Sequence, residues 1–93
     1  MSYYFRNPYQ FSYHSIGRIR TRLKLQDLND IQLREYCLKL INESYDIEET
    51  KSFKYIRVNK THLYFVIKKD VNLILTILPM SPTKLLAVIE ENL

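Results

Sequence analysis

The chain has 93 residues, a formal net charge of +4, 46% apolar residues and one cysteine. That length makes one domain able to bury a core, and that composition excludes a disordered polymer. A lone cysteine also excludes an intrachain disulfide, so a reducing compartment, by default the cytoplasm, is expected.

Residues 1–9 read as an aromatic N-terminal arm, with Asn7-Pro8 as a turn signal. Its tyrosines suit stacking on bases, or else lay the arm over the core. The arm has no apolar run of signal-peptide length. A first helix is expected over 10–22. Each helical residue turns about 100° around the axis, which sets His14, Arg18 and Arg22 along one face and Ile16, Ile19 and Leu23 on roughly the opposite one. Arg20 falls on a flank. Gly17 in the interior costs about 1 kcal/mol relative to alanine, but it also lets a backbone or a phosphate come close.

Asp27, Asn29 and Asp30 are candidate caps for a second helix running to about Asn42. Leu33, Cys37, Leu40 and Ile41 make its buried stripe, and Arg34, Glu35 and Lys39 point outward. Cys37 is therefore expected in the core rather than as a nucleophile. Residues 44–52 form a polar, acidic connection. Three strands follow over 53–58, 62–69 and 73–78, joined by short turns and hence antiparallel. The strongly apolar third strand is expected at the sheet's centre or covered on both faces. Ser81 and Pro82 open a C-terminal helix whose apolar side is Leu85, Leu86, Val88 and Ile89. The longest apolar runs, 63–67 and 73–75, are too short to span a bilayer, so no membrane association is expected. The predicted class is α+β: two N-terminal helices, a twisted antiparallel sheet of three or four strands and a C-terminal helix, all in one domain.

Charge is segregated along this order. Residues 1–25 carry Arg6, Arg18, Arg20, Arg22 and Lys24 and no acid. Residues 26–50 are mainly acidic, and residues 51–69 carry Lys51, Lys54, Arg57, Lys60, Lys68 and Lys69 with no acid. Two basic blocks interleaved with tyrosines point to a nucleic-acid partner, unless the acidic middle neutralises them within the fold. No phosphate-cradling glycine loop, HExxH or zinc-spaced cysteine pair is present, so neither a metal nor a cofactor is expected.

The helix His14-x-x-x-Arg18-x-x-x-Arg22, the capped second helix, and a last strand reading Ile74-Leu75-Thr76-Ile77-Leu78 together resemble the small ribonuclease toxins that unite barnase, EndoU, colicin ribonucleases and RelE. The resemblance covers about residues 10–79, the expected toxin-like core between the arm and a C-terminal helix over 80–93. It implies metal-independent RNA cleavage to 2′,3′-cyclic phosphate and 5′-hydroxyl ends, with His14, Arg18, Arg22 and Thr76 as site residues. Two positions depart from the pattern. Leu23 stands where glycine commonly follows the second arginine, and Leu78-Pro79-Met80 stand where an aromatic or basic residue often follows the threonine strand. Either departure fits a changed substrate, or a fold kept without its activity.

The chemistry can be stated separately. Histidine, with an ordinary pKa of about 6.5, suits either proton role, and arginines grip phosphate oxygens bidentately where charge builds up. Arg20, Lys24, Tyr55, Arg57, Tyr64 and Lys68 are candidates for phosphate contact or base stacking. Each has a plain alternative: the arginines pair with the second helix, Thr76 follows β-propensity, and His62 is an exposed turn residue. The alternative function is a non-catalytic regulator from a phage or mobile element that grips nucleic acid or a host protein. A toxin would bring an antitoxin or immunity protein as partner.

Overall fold

The computed structural model describes residues 8–91, so the expected arm lies outside the described residues except for its last two positions. The eight elements are β1 (Gln10–Phe11), α1 (Tyr13–Leu23), α2 (Asp30–Glu43), β2 (Ile47–Glu49), β3 (Phe53–Arg57), β4 (Leu63–Lys68), β5 (Leu73–Pro79) and α3 (Pro82–Glu91). They make an α+β fold around one mixed sheet of five strands in the order β1-β5-β4-β3-β2. The sheet thus has more strands than the expected three or four. β4, not the strongly apolar β5, is its central strand.

The first helix starts at Tyr13, three residues later than expected. Gln10 and Phe11 instead pair in parallel with Leu73 and Ile74 of β5. The Gln10 amide donates to the Asn72 carbonyl at 2.9 Å and the Ser12 amide to the Ile74 carbonyl at 3.0 Å. Ser12 then caps α1: its hydroxyl accepts from the Ser15 amide at 3.2 Å and donates to the Leu75 carbonyl at 3.0 Å. Leu75 is the extra residue at an irregularity between Val66 and Ile67 of the β4–β5 ladder. One serine side chain therefore fixes both where α1 begins and how it hangs on the sheet. Gly17 remains helical, and α1 ends where Lys24 turns left-handed at φ 57°.

α2 opens on a capping box. Asn29 accepts from the Gln32 amide at 2.8 Å while Gln32 accepts from the Asn29 amide at 3.1 Å. Leu33, Cys37 and Ile41 are buried as expected, and Leu40 packs beside them. The acidic connection hides the unexpected edge strand β2. All three of its residues are exposed, so no apolar alternation announced it. Its pairing places acidic β2 beside basic β3, with Glu49 opposite Lys54.

Both sheet faces are covered, at least in part. On one, Ile19 of α1 and Leu33, Cys37 and Ile41 of α2 pack with Ile56, Val58, Phe65, Ile67, Ile74 and Ile77. On the other, Tyr55, Tyr64, Met80 and Leu85 form a smaller cluster, with Phe53, Val66 and Leu78 against it. Leu85 reaches this cluster from α3. Leu86, expected to share the apolar side, is 60% exposed. Among the described residues no helix is long and apolar enough to cross a membrane.

Candidate functional site

Burial sorts the residues of α1 by their angle around its axis. Ser15 and Ile19 are fully buried, and Ile16, Arg20, Arg22 and Leu23 are half-buried. His14, Gly17, Arg18 and Thr21 form the exposed stripe. His14 and Arg18 do share a face. Arg22 leaves it, because every four-residue step overshoots a full turn by about 40°. Seven residues after Ser15, Arg22 returns to within about 20° of that buried position. Its Nε is buried and has no hydrogen-bond partner.

The exposed stripe of α1 and the first turns of α2 border an open groove of about 830 Å³. His14, Gly17, Arg18 and Thr21 line it from α1, and Asp30 and Arg34 from α2. Phe11, Ser12, Tyr13 and Ile16 complete the lining. That volume falls within the ordinary range of ligand clefts, about 300–1,000 Å³. Arg18 is exposed and makes no ion pair among the described residues. The Arg34 guanidinium lies 5.7 Å from the centre of the Phe11 ring, a cation–π contact at the groove's edge. Asp30 is the one carboxylate in the lining, and Arg20 holds it.

Arg20 accordingly has a structural task. Its guanidinium donates to the carbonyls of Leu25 and Leu28 and to the Asp30 carboxylate, tying the α1–α2 connection together. This is the helix-to-helix pairing that was the plain alternative for the arginines, met by Arg20 and by neither Arg18 nor Arg22. Thr76 does not line the groove. It pairs with Val66 beside Ile77↔Phe65, and those two neighbours belong to the core face on which α1 sits. Alternation along β5 therefore turns the Thr76 side chain to the opposite face. Its hydroxyl makes only a long 3.4 Å bond to the Ile77 carbonyl. The expected four-residue constellation is thus divided: His14 and Arg18 share the groove, and Arg22 and Thr76 lie outside it.

The strand candidates divide as well. Tyr55 and Tyr64 are 5% and 7% exposed, so their rings are core and cannot stack on bases. Burial raises the Tyr55 phenol above its ordinary pKa. Arg57 is engaged by the Asp46 carboxylate at 2.9 Å and by the Thr61 carbonyl at 2.7 Å. Lys24 and Lys68 are exposed, away from the groove lining. Cys37 is buried in the main core, which pushes its thiol up to about 12.

Comparison with protein-family models, curated proteins and solved structures gives no significant match. The likeness to ribonuclease toxins therefore stands on the motif residues alone. Among the described residues no three His, Cys, Asp or Glu side chains gather in a way that suits a metal ion. Sequence reasoning missed Tyr13 and the role of Arg34. Arg34 had been assigned only to an outward face, although a six-residue connection between the helices makes them neighbours and turns an outward face of one towards an edge of the other.

Proposed function

We propose that this chain is an RNA-binding domain that holds the ribose-phosphate backbone in the groove between α1 and α2. One observation carries the reading: Arg18, exposed and in no ion pair among the described residues, borders a cleft whose single carboxylate, Asp30, is already engaged by Arg20. With Asp30 engaged, the Arg18 guanidinium is left open to an anion, and a phosphate suits it. An arginine recognises phosphate by geometry as well as charge. The test is titration of a labelled single-stranded RNA, followed by fluorescence anisotropy, with wild type and the double variant Arg18→Gln/Arg34→Gln. The variant should bind at least roughly tenfold more weakly at low salt and show a flatter salt dependence. Equal affinity and equal slope would end the proposal.

A second reading, RNA cleavage, is favoured by His14, which is exposed in the same groove four residues before Arg18. In that reaction the 2′-oxygen attacks phosphorus and the bond to the 5′-oxygen breaks. One proton leaves the 2′-hydroxyl and one is delivered to the departing oxygen. His14 would serve one of these transfers, with Arg18 and Arg34 balancing charge on the phosphorane. Thr76 and Arg22 would take no direct part. Incubation with RNA in EDTA decides it: 2′,3′-cyclic phosphate ends that disappear with His14→Ala support cleavage, and intact RNA leaves binding alone.

A further inference from the structure

Among the described residues Tyr13 is the most exposed of the large apolar side chains, at 92%, and it is part of the groove lining. An aromatic ring left in water on a small domain forgoes a large burial gain. This one is not on a loose segment. It is the first residue of α1, directly after Ser12, whose hydroxyl is bonded both to the Ser15 amide and to the Leu75 carbonyl of β5. Its ring meets the His14 imidazole edge-on, at 5.8 Å between centroids and 69° between planes. The backbone that carries the ring is thus fixed by a capped helix end, while the ring's surface stays open.

We infer that the groove selects unpaired nucleotides, with one base stacked on Tyr13 and the adjoining phosphate held at Arg18. The inference rests on the RNA-binding reading above and adds the class of strand. A paired base keeps both faces inside its own helical stack, so a lone ring offers a duplex little. An unpaired base presents a free face, and stacking on an aromatic side chain is tolerant of its identity. Arg18 lies five residues beyond Tyr13, roughly 7–8 Å along the axis at 1.5 Å per residue and about 140° around it. Both side chains nonetheless line the same groove, so one strand lying in it can meet the ring with a base and the guanidinium with a backbone phosphate.

The distribution of the remaining charge agrees. A duplex binder needs cations spread along a broad stripe to meet phosphates of both strands. Here Arg20, Arg57 and Lys69 are each spent on a carboxylate, Asp30, Asp46 and Glu49 respectively. Arg18, in no ion pair among the described residues, instead lies in the groove lining with the aromatic Phe11 and Tyr13. A guanidinium sharing a groove with an exposed aromatic ring is a pairing that single-strand sites use.

The experiment compares three labelled ligands by anisotropy: a short oligouridylate, an RNA duplex of the same length, and an abasic strand of the same length. It uses wild type, Tyr13→Ala and Tyr13→Phe, each checked for an unchanged circular dichroism spectrum. The single strand should bind wild type roughly tenfold more tightly than the duplex, and Tyr13→Ala should remove most of that advantage while Tyr13→Phe keeps it. The abasic strand should bind weakly and be indifferent to Tyr13. Equal affinity for duplex and single strand, or a Tyr13→Ala effect under about twofold, would overturn the inference. If Arg18→Gln/Arg34→Gln still weakens binding in that case, the RNA-binding reading survives by itself. If wild type binds none of the three, both fall.

Discussion

Replacing Arg20 by methionine tests whether the most connected cation of α1 is structural. Its guanidinium serves the carbonyls of Leu25 and Leu28 and the Asp30 carboxylate, and its side chain is 24% exposed. Hydrogen bonds involving a charged group contribute about 1.5–3 kcal/mol each when removal leaves a partner unsatisfied. The ion-pair component is small, because Asp30 is 64% exposed, and is taken at no more than about 1 kcal/mol. The two carbonyls are in a surface connection and regain some water, so the contributions do not simply add. The expected loss is about 2–3 kcal/mol. For a domain of this size each kcal/mol shifts the melting temperature by about 4–8 °C, so Arg20→Met should melt roughly 10–20 °C lower. Thermal unfolding followed by far-UV circular dichroism measures it. Arg20→Lys keeps the charge but not the fork, and should recover only part of the loss. A fall of less than about 4 °C for Arg20→Met would refute the structural assignment and return Arg20 to the pool of phosphate contacts.

Other outcomes follow from the same reasoning. Gly17 is helical and a Cβ built there meets nothing within 4 Å, so Gly17→Ala should stabilise the protein by about 1 kcal/mol in denaturant titrations; destabilisation would mean that the helix is not as drawn. Burial pushes the Cys37 thiol up to about 12, so a thiol reagent at neutral pH should modify native protein only slowly and react at once in denaturant. A fast, full reaction of folded protein would contradict the core. The Lys69 ammonium bonded to Glu49 at 2.9 Å holds that carboxyl below its ordinary pKa. The folded state then binds fewer protons than the unfolded one, so the contribution is present above the ordinary glutamate value and fades as pH falls through the folded one. Melting temperatures of wild type and Glu49→Gln should differ slightly at neutral pH and converge in acid; a gap that persists unchanged in acid would exclude this pair as its source.

Local signals were sufficient for much of the fold. The Leu33–Cys37–Ile41 stripe, the β3–β4–β5 meander and the Ser81 cap each depend on a few neighbouring residues and are where the pattern put them, and Asn29 is the one of three candidate caps that opens α2. The departures have non-local causes. β1 exists because Gln10 and Phe11 find the edge of β5, more than sixty residues away, and β2 exists because β3 offers an edge to an exposed acidic segment. Neither partner is visible in the segment itself. The site suffered from the same limitation in a milder form. Spacing by four suggested one line from His14 to Arg22, but the 40° drift per step and the burial of Ser15 and Ile19 decided which arginine stays outside. Thr76 turned on strand alternation past an irregular register, where a one-residue difference exchanges the faces of a sheet.

Salt dependence of RNA affinity measures the groove most directly. Each phosphate neutralised on a single strand adds about 0.7 to the slope of log affinity against log salt. Between low and physiological salt, wild type should therefore lose affinity more steeply than Arg18→Gln/Arg34→Gln, by roughly 1.4 in that slope if both guanidiniums meet phosphate. Parallel lines for the two proteins, at the same affinity, would contradict an α1–α2 groove that binds RNA.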